Sequence, residues 1–448
     1  MINQRRDFPS RHLCLFLRVC LERENSSPRR YDKEMEASTL AVPTSAAASA
    51  GDSVIALEER CLLQNYARYP LVLTRGKGCY VYDTSGRRYL DFITGIGVNA
   101  LGHAYPRLVK TIRDQAARML HCSNLYYHEY QGPLAERIAK ATGLDRVFFC
   151  NSGAEAMEGA LKIVRSHGRK IHPEKFETVA LDDSFHGRTF GALSITGQEK
   201  YRRDFEPMLP GAHFTRRNDI AALEDSVSER TAGIVLELVQ GEGGIHPLTV
   251  EFIHKARQLA DRYNALLVFD ETQCGVGRPG AYFSYQLHDP AILPDVAVAA
   301  KPLACGIPLG FVAATDAAAS TIGLGMHGTT FGGGPLACRV ALEFFDILDE
   351  LLPNISRMGD YFRQQLTELK ARHSFVKEIR GPGLMIGLEL EFSGKQIVLD
   401  ALEAGLLLNC THDLVLRFLP PYIVGKPEID RAVRILDKVL KKAEPPAA

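Results

Sequence analysis

Ala265-Leu-Leu-Val-Phe-Asp270 and Asp295-Val-Ala-Val-Ala-Ala-Lys301 are short apolar runs, each closed by a charged residue. Hydrophobicity on consecutive rather than alternate positions, bounded by polar or Gly/Pro residues, marks strands buried on both faces of a parallel sheet. Ligands of such sheets lie beyond the carboxyl ends of the strands. Asp270 and Lys301 therefore fall on one rim, either as a structural ion pair or as a carboxylate and an amine available for chemistry. Runs of the same kind predict further strands at Arg146–Cys150, Thr178–Asp182, Gly233–Leu238 and Leu309–Thr315. Phe252, Ile253, Ala256, Leu259, Ala260 and Tyr263 recur at i, i+3, i+4 spacing, the stripe of an amphipathic crossover helix. The expected fold class is α/β: a large domain on a mostly parallel sheet, over residues 106–339.

Outside that stretch the character changes. Residues 340–448 are expected to form a small α+β domain. It has a long helix carrying Ile355, Met358, Phe362, Leu366 and Leu369, the break Gly381-Pro-Gly383, and an alternating strand through Leu384, Ile386, Leu388 and Leu390. A helix stopped by Gly405, a strand Leu414–Phe418 and a last helix after Pro427 follow. Residues 52–105 read as an N-terminal arm, with a helix over Ile55–Gln64 and strands over Gly78–Asp91 about the turn Asp83-Thr-Ser-Gly86. Residues 1–51 read as an extension outside the fold. Its first 34 residues mix Arg with Asp and Glu, unlike a transit peptide, and an Ala/Ser/Thr-rich stretch follows Met35, where translation is expected to start.

The chain has 448 residues, too long for one hydrophobic core, and its 53 Lys plus Arg balance 53 Asp plus Glu. No net field favours nucleic acid or an anionic membrane, so the expected partner is a small molecule. The ten Cys form no C-x-x-C pair and read as reduced thiols of a cytoplasmic protein. No run is long enough to span a membrane. The 14 His include no H-E-x-x-H and no zinc spacing, so no metal is expected.

Several motifs fall at predicted strand ends. Asn151-Ser-Gly153 runs into a helix beginning Ala154-Glu-Ala, a place to hold phosphate on free N–H groups, or a plain N-cap. Phe185-His-Gly-Arg188 offers a ring to stack on a flat cofactor and a guanidinium to clamp a carboxylate. Nothing beside His186 in sequence orients it, so it reads as a packing residue. Gly275-Val-Gly-Arg-Pro-Gly280 matches the dinucleotide fingerprint, but no amphipathic helix follows it. Thr329-Thr-Phe-Gly-Gly-Gly334 suits an anion or a turn. Together, Ser152-Gly153, Phe185/Arg188, Asp270/Gln273 and Lys301 converge on one rim. An amine to condense with an aldehyde and a carboxylate for a ring nitrogen are what pyridoxal 5'-phosphate requires.

The ordered set Leu101-Gly-His103, Phe149-Cys-Asn-Ser-Gly-Ala-Glu-Ala156, Phe185-His-Gly-Arg-Thr189, Val239-Gln-Gly-Glu-Gly-Gly244, Leu267-Val-Phe-Asp-Glu-Thr-Gln-Cys-Gly275, Ala300-Lys301 and His327-Gly-Thr-Thr-Phe-Gly-Gly333 resembles the class III, or ω-amino-acid, aminotransferases of fold type I. The likeness runs from about Gln64 to Lys442. It implies that Lys301 binds the pyridoxal phosphate aldehyde, Asp270 keeps the ring nitrogen protonated, Gln273 meets the ring hydroxyl and Phe185 stacks on the ring. It further implies that backbone N–H groups of Gly153 and Ala154 hold the phosphate, with Thr330 reaching the phosphate of a neighbouring subunit, so that the active unit is a homodimer. Arg188 would bind the donor's carboxylate and Thr329 is a further substrate contact. Arg417 would take the α-carboxylate of glutamate or 2-oxoglutarate, masked by Glu242 when the donor binds. Within the family the histidine before the Gly-Thr-Thr loop and the Gln-Gly-Glu-Gly-Gly run favour N-acetylornithine as donor. The expected products are N-acetylglutamate 5-semialdehyde and glutamate, in arginine biosynthesis. Succinylornithine, ornithine, 4-aminobutyrate and a carrier-linked lysine precursor are the alternative donors. A pyridoxal phosphate aminomutase or decarboxylase, or a pseudo-enzyme or nucleotide-binding module, are the alternative classes. Ala154 for the usual Thr, Thr272 for a branched apolar residue, Pro302-Leu-Ala-Cys305 for a Gly-rich segment and Gly334 for Asn depart from the family pattern.

Overall fold

The computed structural model describes residues 50–289 and 292–443. The expected extension, including Met35, lies up to residue 49 outside the described residues. Helix Ala50–Cys61 leads into β1 (Leu73–Lys77), β2 (Tyr80–Asp83) and β3 (Arg88–Asp91). The Asp83 carboxylate makes the β2–β3 turn by accepting from the Ser85 and Arg87 amides, and Gly86 takes φ 83° there.

The central sheet comprises β4 (Arg146–Cys150), β5 (Glu177–Leu181), β6 (Ala212–Thr215) and β7 (Thr231–Leu236). After a two-stranded ribbon of β8 (Val239–Gln240) and β9 (His246–Pro247) it is completed by β10 (Leu266–Asp270), β11 (Val296–Ala299) and β12 (Gly310–Ala314). Its order is β4-β12-β11-β10-β7-β5-β6, with β12 antiparallel to both its neighbours and the other pairings parallel. Every residue of β7, β10, β11 and β12 is buried, which explains their uninterrupted hydrophobicity. The expected strands sit within two residues of their observed bounds. Strand β6 was not expected: at the sheet edge, with His213 exposed, Ala-His-Phe-Thr carries no apolar run. Helix Val250–Arg262 is the expected crossover. The Thr249 hydroxyl caps it by accepting from the Phe252 amide, and Phe252, Ile253, Ala256, Leu259 and Ala260 are buried.

One helix, Pro335–Lys370, runs through residue 340 with Pro353 inside it and buries Ile355, Met358, Phe362, Leu366 and Leu369. Beyond it β13 (Val376–Arg380), β14 (Ile386–Leu390), β16 (Asn409–Thr411) and β17 (Val415–Phe418) form an antiparallel sheet in the order β13-β14-β17-β16. Helices Lys395–Glu403 and Lys426–Leu440 accompany it. Between them β15 (Leu406–Leu407) joins β3 in parallel, tying the N-terminal arm to the C-terminal region. Among the described residues no helix is long and apolar enough to cross a membrane.

Candidate active site

Asp270 ends β10 and is buried, 4% exposed. Its Oδ1 accepts from the Thr272 amide at 3.0 Å, and Oδ2 lies 2.8 Å from His186 Nδ1. The sequence leaves His186 without an orienting partner; in space that partner is Asp270, and the ring is a fixed neighbour of the site rather than mere packing. Lys301 follows the end of β11, and its amine makes no hydrogen bond among the described residues. Burial pushes its pKa down; Arg417 adds to this, against the pull of Glu242, Asp270 and Glu237.

Arg417 on β17 is fully buried and comes to the rim from the C-terminal sheet. Its Nη1 donates to Glu242 Oε1 at 2.6 Å and to Gln273 Oε1 at 3.0 Å, while Nε donates to Asn409 Oδ1 at 3.1 Å. Gln273 Nε2 donates to Glu242 Oε1 at 3.3 Å, so the amide expected at a ring hydroxyl is engaged with the ion pair here. Burial opposes ionisation of Glu242, but Arg417 and then Lys301 outweigh it and hold the carboxyl at about 2. Thr411 Oγ1 donates to the Glu242 carbonyl at 2.6 Å, anchoring the same loop to β16.

Helix Gly153–Ile171 starts at this rim with Ser152 as its cap, the hydroxyl accepting from the Glu155 amide at 3.2 Å. The Gly153 and Ala154 amides find no partner among the described residues, as expected of a helix start. A Cβ on Gly153 would lie 2.5 Å from Thr272 Cγ2, so that one of the two would have to shift, and Thr272 Oγ1 is buried without a partner. Phe185 is half-buried and packs edge-on against Tyr201 at 5.8 Å. Arg188 is exposed over the Tyr201 ring at 3.9 Å and pairs with no carboxylate among the described residues.

Thr329 is held to the helix start, its hydroxyl accepting from Asn151 Nδ2 at 3.2 Å. Thr330 is exposed instead, in a surface region with Leu324, Met326 and Phe331. The fold thus brings buried Asp270, Gln273 and Arg417 and half-buried Lys301 and Glu242 into one group and sets Thr330 outward. Glu237, just past β7, belongs to that group and went unremarked in the sequence; its position after a buried strand was the available signal. Asn409 carried none, because its role depends on Arg417 across a strand pair.

The family model for class III aminotransferases matches residues 62–440. The acetylornithine aminotransferase of Methanocaldococcus jannaschii is 46% identical over 388 residues, covering 86% of this chain and 97% of that protein. That of Aquifex aeolicus is 44% identical, covering 85% and 99%. A structure of the ornithine aminotransferase from Toxoplasma gondii, with partial occupancy of PLP at its active site, superposes with a TM-score of 0.84 at 31% identity, covering 88% of this chain and 95% of that one. The chain belongs to the class III aminotransferases.

Proposed function

We propose that this aminotransferase moves the δ-amino group of N-acetylornithine to 2-oxoglutarate, giving N-acetylglutamate 5-semialdehyde and glutamate. The observation that carries the reading is the ion pair of buried Arg417 and half-buried Glu242 beside Lys301. A transaminase must take two different substrates in turn at one site, and a cation that can be covered or uncovered serves that need. An aminomutase or decarboxylase handles one substrate and has no use for it. The donor rests on the relatives, which are acetylornithine aminotransferases.

The residues fit pyridoxal phosphate: an uncommitted desolvated amine, a buried carboxylate at a strand end and two unpartnered helix-start amides face one rim. When bound, that cofactor supplies an aldehyde for amines and a ring that takes up the electron pair left by a departing proton. Lys301 would hold the cofactor's aldehyde through its amine, uncharged more readily because burial lowers its pKa, and, displaced by the incoming substrate amine, would serve as the base that moves the proton. Asp270, aimed by Thr272 and His186, would hold a proton on the ring nitrogen. The Gly153 and Ala154 amides would take the phosphate, Phe185 would cover one ring face and Gln273, now bonded to Arg417 and Glu242, would meet the ring hydroxyl.

Arg188 is free to bind the donor's carboxylate, with Thr329 beside it. Arg417 is neutralised by Glu242 while the donor occupies the site. Once 2-oxoglutarate enters, its α-carboxylate replaces Glu242 on the guanidinium. Thr330 reaches the phosphate of a second copy. The homodimer this requires is supported by exposed apolar residues that include Leu125 (85% exposed), Tyr126 (70%) and Phe331 (67%), a surface expected to be covered. We place the enzyme in the cytoplasm, in keeping with eight free thiols among the described residues.

The test is the visible spectrum of the protein with pyridoxal phosphate. A band present in wild type, absent in Lys301→Ala and bleached by N-acetylornithine supports cofactor, lysine and donor together. A band indifferent to that donor removes the substrate assignment, and no band removes the enzyme reading.

A further inference from the structure

Glu242 lies on the turn between β8 and β9, and three carbonyls of that turn are held by side chains of the C-terminal sheet. Arg417, on β17, donates from Nη1 to the Gly241 carbonyl at 3.4 Å. Thr411, on β16 and buried, donates from Oγ1 to the Glu242 carbonyl at 2.6 Å. Arg380, at the end of β13, donates from Nε and Nη2 to the Gly244 carbonyl at 3.0 and 2.8 Å. Arg380 is fixed in turn from behind. It is buried, and its Nη1 donates to the carboxylates of Glu378 and Glu389.

The turn has little room to move as a unit. Ile245 closes it, its amide donating to the Gln240 carbonyl at 2.9 Å, and its side chain seats against β14, where a Cβ on Gly387 would lie 3.0 Å from the Ile245 Cβ. The glycines flanking Glu242 serve close approach rather than mobility. A Cβ on Gly241 would overlap Gln273 Oε1, and one on Gly243 would lie 2.8 Å from the Asp183 carbonyl oxygen. From residue 241 to 245 only Glu242 is not fully buried, and its side chain is 24% exposed. The backbone is enclosed, whereas the carboxylate has open space beside it.

We propose that Glu242 uncovers Arg417 by turning its own side chain on a backbone clamped to the C-terminal sheet, and that Thr411 is the positioning residue that sets where the carboxylate rests. Thr411 acts through the Glu242 carbonyl and touches neither substrate nor cofactor. Because cover and guanidinium are tied to the same sheet, a shift of that sheet carries both and leaves their 2.6 Å contact intact. What opens the pair is a competing carboxylate. The proposal rests on the masking role given to Glu242 above.

Steady-state kinetics on the full chain loaded with pyridoxal phosphate, with N-acetylornithine and 2-oxoglutarate varied in turn, test it. Thr411→Val keeps the outline of the side chain and removes its O–H. The loosened cover should lower KM for 2-oxoglutarate about two- to tenfold, the worth of one such hydrogen bond, and lower kcat/KM for N-acetylornithine by a similar factor. Lys301 and Asp270 are untouched, so kcat should stay within about twofold, and Thr411→Ser, which restores the donor, should return both constants toward wild type. In the double variant Thr411→Val/Glu242→Gln neither constant should move beyond Glu242→Gln alone, because Thr411 acts only through Glu242. Should Thr411→Val fail to fold, Thr411→Ala reads the same contact. A crystal structure with 2-oxoglutarate on Arg417 should keep the Thr411 and Arg380 contacts to the turn, and a turn displaced from both overturns the rotation. A fall in kcat, no rescue by Ser, or effects that multiply in the double variant overturn the positioning role. Constants that change in Glu242→Gln but not in Thr411→Val remove the clamp and leave the mask, whereas constants unchanged in Glu242→Gln remove the mask itself.

Discussion

Replacing Glu242 by Gln should invert the balance between the two substrates. A carboxyl held at about 2 rather than 4.5 is favoured as the anion by about 3 kcal/mol, most of it owed to Arg417 at 2.6 Å. That figure bounds what an incoming α-carboxylate must overcome when it takes the guanidinium from Glu242, and 3 kcal/mol corresponds to roughly a hundredfold in binding. Gln keeps a hydrogen bond to Nη1 but gives up the charge. The KM for 2-oxoglutarate should therefore fall by about tenfold or more, short of that bound. The donor suffers in turn, because an uncovered Arg417 attracts its carboxylate to the wrong end of the site, so kcat/KM for N-acetylornithine should drop by a similar factor. Stopped-flow measurement of the two half-reactions, one with N-acetylornithine and one with glutamate, reads the ratio directly. A ratio unchanged in a Glu242→Gln protein with native circular dichroism would refute the masking role.

Gly153→Ala should weaken pyridoxal phosphate binding about tenfold or more, since its Cβ would meet Thr272 Cγ2 at 2.5 Å, and Thr272→Ala in the same chain should restore much of it; dialysis equilibrium with the cofactor checks both. Mixing Lys301→Ala with Thr330→Val, each nearly inactive alone, should regain about a quarter of wild-type activity after subunit exchange if sites are shared, and none if each subunit is self-contained. His246 is held at about 4 rather than 6.5 by burial and the neighbouring Arg380 and Arg217. Its folded pKa lies below the unfolded one, so the stability it contributes is complete above pH 6.5 and is lost as pH falls toward 4. Urea titrations of His246→Gln should accordingly show a shallower acid slope over that window than wild type, and parallel slopes would count against it.

The inner strands of the central sheet were legible because burial on both faces leaves a local signature, as in β10, and the edge strand β4 was legible too, through its apolar run Val-Phe-Phe-Cys. The edges were not. Strands β6 and β13 alternate or mix polarity because one side meets solvent, and a four- or five-residue stretch of that kind resembles a loop. Asp270 and Lys301 could be read from position alone, as residues ending buried runs. Arg417 and Glu242, 175 residues apart, could not: nothing local in Val-Leu-Arg-Phe says that its arginine is fully buried against the turn between β8 and β9, and only the family resemblance suggested it. His186 shows the same limit, since its partner Asp270 is 84 residues away.

The placement of Arg417 on β17, rather than on the sheet that carries Lys301, makes the packing between two sheets into a gauge. On the function proposed above, a substrate held by Arg417 while Lys301 moves its proton would have to span the gap from the end of β11 to the guanidinium, and that gap is set by how one sheet seats on the other, not by any single side chain. Tolerance for substrate length is thus written into apolar contacts far from the reacting atoms. Mutations there would loosen or shift the choice of substrate while leaving the reactive groups untouched, so drift in specificity within such a fold can begin in its core.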